Sequence, residues 1–136
     1  AIEALSRGAD SAVLADCGRQ ALEAAGRNLS LLKPPQKTEL LRVRWPQGFE
    51  RLSPDRPFNL FLLDPPYENQ KLPRELLKRA AGSSLAAPGA VAVWEQAPET
   101  LDTWGEADVS PWELVKTRAW GGQAVAFLRH GEADQL

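Results

Sequence analysis

Apolar positions along the chain change their period several times, and each change marks an element. Ala1 to Arg7 carries Ile2 and Leu5 at helical spacing and is closed by Gly8, a usual residue just past a helix end. Ala12 to Ala15 is a short apolar run ending in Asp16, and Arg19 to Leu32 returns to a helical period with Leu22, Ala25, Leu29 and Leu32 on one face. A strand followed by a helix is predicted. Lys33-Pro34-Pro35-Gln36-Lys37 breaks the chain, Glu39 to Val43 predicts a second short strand, and Pro46 to Leu52 predicts a weak helix or loop. Phe58 to Asp64 is a near-continuous apolar run of the kind buried on both faces in a parallel sheet, and it stops at Pro65-Pro66.

Pro73 to Ala81 predicts a helix with proline in its first turn, where the missing N–H costs nothing. Pro88-Gly89 introduces a strand from Ala90 to Trp94 that ends at Glu95. Strands and helices alternating at these lengths imply an α/β layer structure with a parallel sheet. The end of the chain differs: Trp112 to Trp120 and Gln123 to Arg129 are strand patterns joined by Gly121-Gly122, an antiparallel hairpin. With no internal repeat and no low-complexity linker, residues 1–136 are expected to form one domain around one core.

Composition narrows the function classes. The chain is 43% hydrophobic and 25% charged, an ordinary globular balance. Its net charge of −2 supplies no whole-molecule argument for nucleic-acid binding. Locally the charge is polarised. Lys71, Arg74, Lys78 and Arg79 stand against Glu75 alone within residues 71–79, whereas residues 95–113 hold six acids and no Lys or Arg. A helix so charged either contacts phosphates or is a solvated face. A single cysteine, Cys17, excludes a disulfide framework and any multi-cysteine metal site, and no metal is expected. No run approaches the ~20 apolar residues that span a bilayer, and no charged segment followed by an apolar stretch opens the chain, so the expectation is a cytoplasmic protein without a membrane partner. Methionine is absent, and the first residues are expected to be the middle of a longer chain. Among the five tryptophans, Trp94, Trp112 and Trp120 are expected to pack in the core or at its rim, and His130 to sit in a polar tail.

In sheets of this class ligands bind beyond the carboxyl ends of the strands. Three strands close on acids there: Asp16, Asp64 and Glu95. Asp16, between a short strand and a helix, is placed either to accept from both hydroxyls of a nucleoside ribose or to pair with the helix N-terminal dipole. Asp64-Pro65-Pro66-Tyr67 is more specific. Consecutive prolines have fixed φ and no N–H, so they form a stiff ledge on which the Asp64 carboxylate and the Pro65 carbonyl are acceptors without a competing local donor. Two such acceptors suit an exocyclic amine: they take its N–H groups, orient the nitrogen lone pair and stabilise the positive charge that grows as the nitrogen attacks. Tyr67 supplies a ring on which a base can stack.

Leu63-Asp64-Pro65-Pro66-Tyr67 resembles the motif of S-adenosylmethionine-dependent amino-methyltransferases, which methylate exocyclic nitrogens of nucleobases. Glu3-Ala4-Leu5-Ser6-Arg7-Gly8-Ala9 narrows the resemblance to the bacterial 16S ribosomal RNA guanine-N2 methyltransferases of the RsmD type, in which this helix directly follows a glycine-rich cofactor loop. Asn28-Leu29, Pro88-Gly89, Val91 to Glu95 and the Gly121-Gly122 hairpin match that family in order, so the resemblance covers nearly the whole chain.

The resemblance implies a Rossmann-like class I methyltransferase fold, mostly parallel with a C-terminal antiparallel hairpin, whose first strand and glycine loop would precede Ala1. It implies S-adenosylmethionine as cofactor, with Asp16 and Asp64 at the cofactor site. Asp64, Pro65, Pro66 and Tyr67 would be catalytic, and Tyr67, Lys71, Arg74 and Lys78 would bind substrate. The implied partner is 16S ribosomal RNA or the assembling small ribosomal subunit, met by a monomer. One departure lies after the strand at Glu39 to Val43: relatives place an acid near the adenine, and here Arg42, Arg44 and Trp45 stand instead. Two alternatives stay open, an adenine-N6 or other amino-methyltransferase on DNA or RNA, and a non-catalytic RNA-binding remnant.

Overall fold

Strands separated by a helix pair in parallel, as the alternation of periods predicts. The computed structural model describes residues 2–44, 47–52, 54, 56–64, 71–96 and 109–131, and the chain divides into two compact units, Ala1–Arg51 and Leu52–Leu136.

In the first unit a short helix α1 (Ile2–Ser6) buries Leu5 and ends at Gly8, whose φ of 107° only glycine adopts readily. Strand β1 (Ser11–Asp16) pairs in parallel with β2 (Lys37–Arg42), in register from Ser11 opposite Lys37 to Asp16 opposite Arg42. The crossover between them is helix α2 (Arg19–Leu32), and its bounds are those its hydrophobic period predicts. Leu22, Ala25 and Leu29 are half-buried, but Leu32 is 62% exposed, contrary to expectation. The helix ends there: Lys33 turns left-handed at φ 46° and donates its N–H to the Leu29 carbonyl at 2.8 Å, so the apolar face stops before Leu32 is covered. The weak helix after β2 is a 3-10 turn, Gln47–Arg51, folded back on buried Val43. A Cβ at Gly48 would collide with the Val43 side chain, so only glycine fits.

The second unit is a four-stranded sheet in the order β3-β4-β6-β5, built from β3 (Phe58–Leu63), β4 (Ala86–Gln96), β5 (Trp112–Trp120) and β6 (Gln123–His130). β3 and β4 are parallel; β6 pairs antiparallel with β4 and with β5. Helix α3 (Lys71–Ala81) starts two residues before the predicted Pro73 and lays Pro73, Leu77 and Ala80 on one sheet face. Spacings of four and three put these residues on one side of a helix. Trp112 fixes the contact, its indole Nε1 donating to the Leu77 carbonyl at 2.7 Å while Phe61 meets its ring edge-on at 5.7 Å. Trp94, Ala92, Ala126 and Leu128 complete this buried face.

The opposite face corrects an expectation. Leu60 and Leu62 are 41% and 51% exposed, although the apolar run predicts burial on both faces. Among the described residues of this unit α3 covers only the side carrying Phe61 and Leu63, and alternation along the strand leaves Leu60 and Leu62 on the other. Pro88-Gly89 lies inside β4 rather than before it. Phe58 pairs with Ala86 and Leu60 with Val91, so a bulge holding Pro88 and Gly89 (φ 78°) interrupts the ladder where proline has no N–H to offer. The hairpin turn is the predicted Gly121-Gly122, with Gly121 at φ 58°. Of the tryptophans, Trp94 and Trp112 are buried as expected but Trp120 is 55% exposed, because it closes an edge strand at the hairpin tip. His130 is in β6, half-buried beside Trp112, with Nδ1 3.2 Å from the Ala87 carbonyl.

Candidate active site

Asp16 is the last residue of β1, and its backbone carbonyl accepts from Val43 N–H at 3.0 Å, which holds the two strand ends together. Its exposed carboxylate turns toward the following helix: Oδ1 accepts from the Gly18 N–H at 2.7 Å. A Cβ at residue 18 would stand 3.2 Å from that same oxygen, a tight approach that glycine avoids. Only one carboxylate oxygen is used this way, and among the described residues the second has no partner. Helix pairing and ligand binding are thus compatible at Asp16. Arg42, in the stretch where an acid was expected, braces the local backbone. Its Nε donates to the Cys17 carbonyl at 3.3 Å, and Arg51 donates in turn to the Arg42 carbonyl at 2.6 Å.

In the second unit two acids meet. Leu63 of β3 pairs with Trp94 of β4, so the next residues along the two parallel strands, Asp64 and Glu95, stand side by side at the carboxyl ends. Their carboxyl groups are close enough to act on each other. Partial burial of the Glu95 carboxyl, then the Asp64 charge and the close approach of the Asp64 side chain, raise the Glu95 pKa from its ordinary value. A carboxylate at Asp64 has two oxygens, so an approach by Glu95 leaves it acceptor capacity for a second donor. Both acids are legible in the sequence as strand-closing residues, but their pairing depends on the register of two strands distant in the chain and has no local signal.

Pro65, Pro66 and Tyr67 lie outside the described residues, as does the Lys71 side chain. The described cations of this helix differ in their surroundings. Arg74 is half-buried, its guanidinium 5.9 Å over the centre of the Trp94 ring. Arg79 pairs with Glu75 at 3.3 Å, one turn away, and Lys78 is exposed. Among the described residues no group of three or more His, Cys, Asp or Glu is placed to hold a metal ion, and no helix is long and apolar enough to cross a membrane.

Residues 1–129 match the family model described as conserved hypothetical protein 95. The chain belongs to this family. No curated protein matches it. Among solved structures, a conserved hypothetical protein from Streptococcus pyogenes is similar over 99% of this chain and 80% of its own, at 24% identity and a TM-score of 0.83. A Haemophilus influenzae protein proposed as a methylase is similar over 96% and 79%, at 21% identity and 0.75. An Escherichia coli protein proposed as a methyltransferase is similar over 96% and 69%, at 21% identity and 0.73. This member of the conserved hypothetical protein 95 family has the Rossmann-like class I methyltransferase fold, with the strand ends of both units carrying the acids described above.

Proposed function

We propose that the chain is an S-adenosylmethionine-dependent methyltransferase acting on the exocyclic N2 amine of a guanine in 16S ribosomal RNA. The observation that carries the reading is Asp64, set beside Glu95 at the carboxyl end of β3 and followed directly by Pro65-Pro66-Tyr67. The methyltransferase descriptions of the Haemophilus influenzae and Escherichia coli neighbours support the reaction class, and the resemblance to the RsmD type supports the substrate.

Asp16 fits the cofactor, because its second carboxylate oxygen is exposed and unpartnered among the described residues, as an acceptor for ribose hydroxyls must be. When bound, S-adenosylmethionine supplies an electrophilic methyl group. Asp64 and the Pro65 carbonyl accept the two N–H groups of the amine, aim its lone pair and stabilise the charge that develops on nitrogen. Tyr67 stacks the base taken out of its helix.

The test offers the chain ribosomal RNA, assembled small subunits and duplex DNA with labelled S-adenosylmethionine, and identifies the modified nucleoside by mass spectrometry. N2-methylguanosine from ribosomal RNA is expected. N6-methyladenine from DNA would replace the substrate while keeping the amine chemistry, because the ledge recognises an amine and not a particular ring. No transfer to any substrate would remove the reading.

A further inference from the structure

The β5–β6 hairpin carries a surface with no part in the chemistry above. Trp120 lies opposite Gln123, Arg118 opposite Val125, Lys116 opposite Phe127 and Glu113 opposite Arg129, so these side chains share the sheet face turned away from α3. Val125 pairs in turn with Glu95, the neighbour of Asp64. One row across the sheet therefore runs from Arg118 through Val125 and Glu95 to Asp64, and Trp120 stands one pleat beyond it at the hairpin tip. With strands ~4.8 Å apart, Arg118 is about 15 Å from Asp64, within the reach of a short single strand.

The chemistry of this face is that of a nucleic-acid platform. Trp120 is 55% exposed, which leaves the apolar faces of its indole in water and its stacking surface open to a ligand. Lys116 Nζ sits 4.9 Å over the Phe127 ring, a position held by the ring rather than by an acid. Arg118 and Arg129 are exposed and form no ion pair with a described residue. On the hairpin strands of this face three cations stand against Glu113, while the acids Glu95 and Asp64 lie on β4 and at the end of β3, so in a chain whose net charge is −2 the positive charge is gathered at the hairpin and favours a polyanion there.

We propose that this hairpin face binds an unpaired stretch of the RNA substrate, with Trp120 stacking one base and Lys116 and Arg118 taking the flanking phosphates. The inference rests on the methyltransferase reading only in naming RNA as the ligand. An unpaired strand is specified because a base must leave its helix to lie on an indole.

The experiment measures binding of a labelled unpaired RNA of about ten nucleotides, a length of the order of a single-strand site, by fluorescence anisotropy over a range of salt. Unfolding midpoints of each variant check the fold. Trp120→Ala should weaken binding about tenfold and Trp120→Phe less than threefold, since a smaller ring still stacks. The double change Lys116→Gln, Arg118→Gln should reduce the slope of log K against log salt by about 1.4, the value for two phosphate contacts on a single strand. A duplex of the same sequence should compete poorly. Unchanged affinity in folded Trp120→Ala, or an unchanged salt slope in the double variant, would overturn the proposal. Methyl transfer measured on the same samples separates the two readings. RNA methylation unaffected in rate and binding by Trp120→Ala removes the hairpin platform alone, whereas Trp120-dependent binding without any transfer removes the methyltransferase alone.

Discussion

Asp64 and Glu95 show how strand register sets two chemically similar side chains beside each other, so that each alters the surroundings of the other. The first prediction follows from the proposed role of Asp64. Asp64→Ala should lower methyl transfer by about 100-fold or more, as loss of a group that acts on developing charge does, while leaving cofactor affinity nearly unchanged. Asp64→Asn should retain more activity, because an amide oxygen still accepts. Turnover and cofactor calorimetry on the two variants check this, and near-native turnover in Asp64→Ala would reduce the residue to a strand terminator.

Glu95 leads to a pH dependence whose sign is determined. Its folded-state pKa is raised above the unfolded value of 4.5, so the folded chain holds that proton more tightly. The associated stability is fully present below 4.5 and is lost as pH rises through the folded value. Glu95→Gln keeps a donor toward Asp64 and cannot titrate. Its unfolding midpoint should therefore improve relative to the parent as pH is raised from acid to neutral; parallel pH profiles for the two proteins would contradict the assignment.

At the scale of the element, α3 illustrates how packing reassigns charge. Its sequence offers one basic cluster, yet the helix turns Pro73, Leu77 and Ala80 toward the sheet, which carries the neighbouring Arg74 over Trp94 and leaves Lys78 in solvent. Arg74→Gln should accordingly cost about 1 kcal/mol in stability through the lost ring contact, whereas Lys78→Gln should stay within about 0.5 kcal/mol of the parent. Urea unfolding of both variants distinguishes a packed arginine from a solvated one. The helix α2 has no fully buried residue at all, and its stability comes from a half-buried stripe against β1 and β2 together with its own backbone bonds.

Over the whole molecule, burial is unequally shared. Among the described residues, the side chains with no solvent exposure, such as Leu77, Ala92, Trp94, Ala126 and Leu128, belong to Leu52–Leu136, and the buried apolar residues of Ala1–Arg51 are Leu5, Leu41 and Val43. Local opening is easiest where few apolar contacts resist it. Amide hydrogen exchange should therefore be slowest in β4 and β6 and faster in α2, β1 and β2. Equal protection in the two units would show that the first draws its stability from something other than its own core.

What the sequence determined by itself was local: the bounds of α2, the hairpin turn at Gly121-Gly122, and the acids at the ends of β1, β3 and β4. Periodicity, turn chemistry and strand termination act over a few residues, so they are written where they operate. The tertiary structure decided everything that depends on register between distant segments. It alone places Asp64 beside Glu95, Arg74 over Trp94, the bulge at Pro88-Gly89 within β4 and Trp120 in the open on the row beyond Arg118. An apolar run such as Phe58 to Leu63 carries the capacity to be buried on both faces, but burial needs a partner on each, and only the fold determines that α3 lies on one of them.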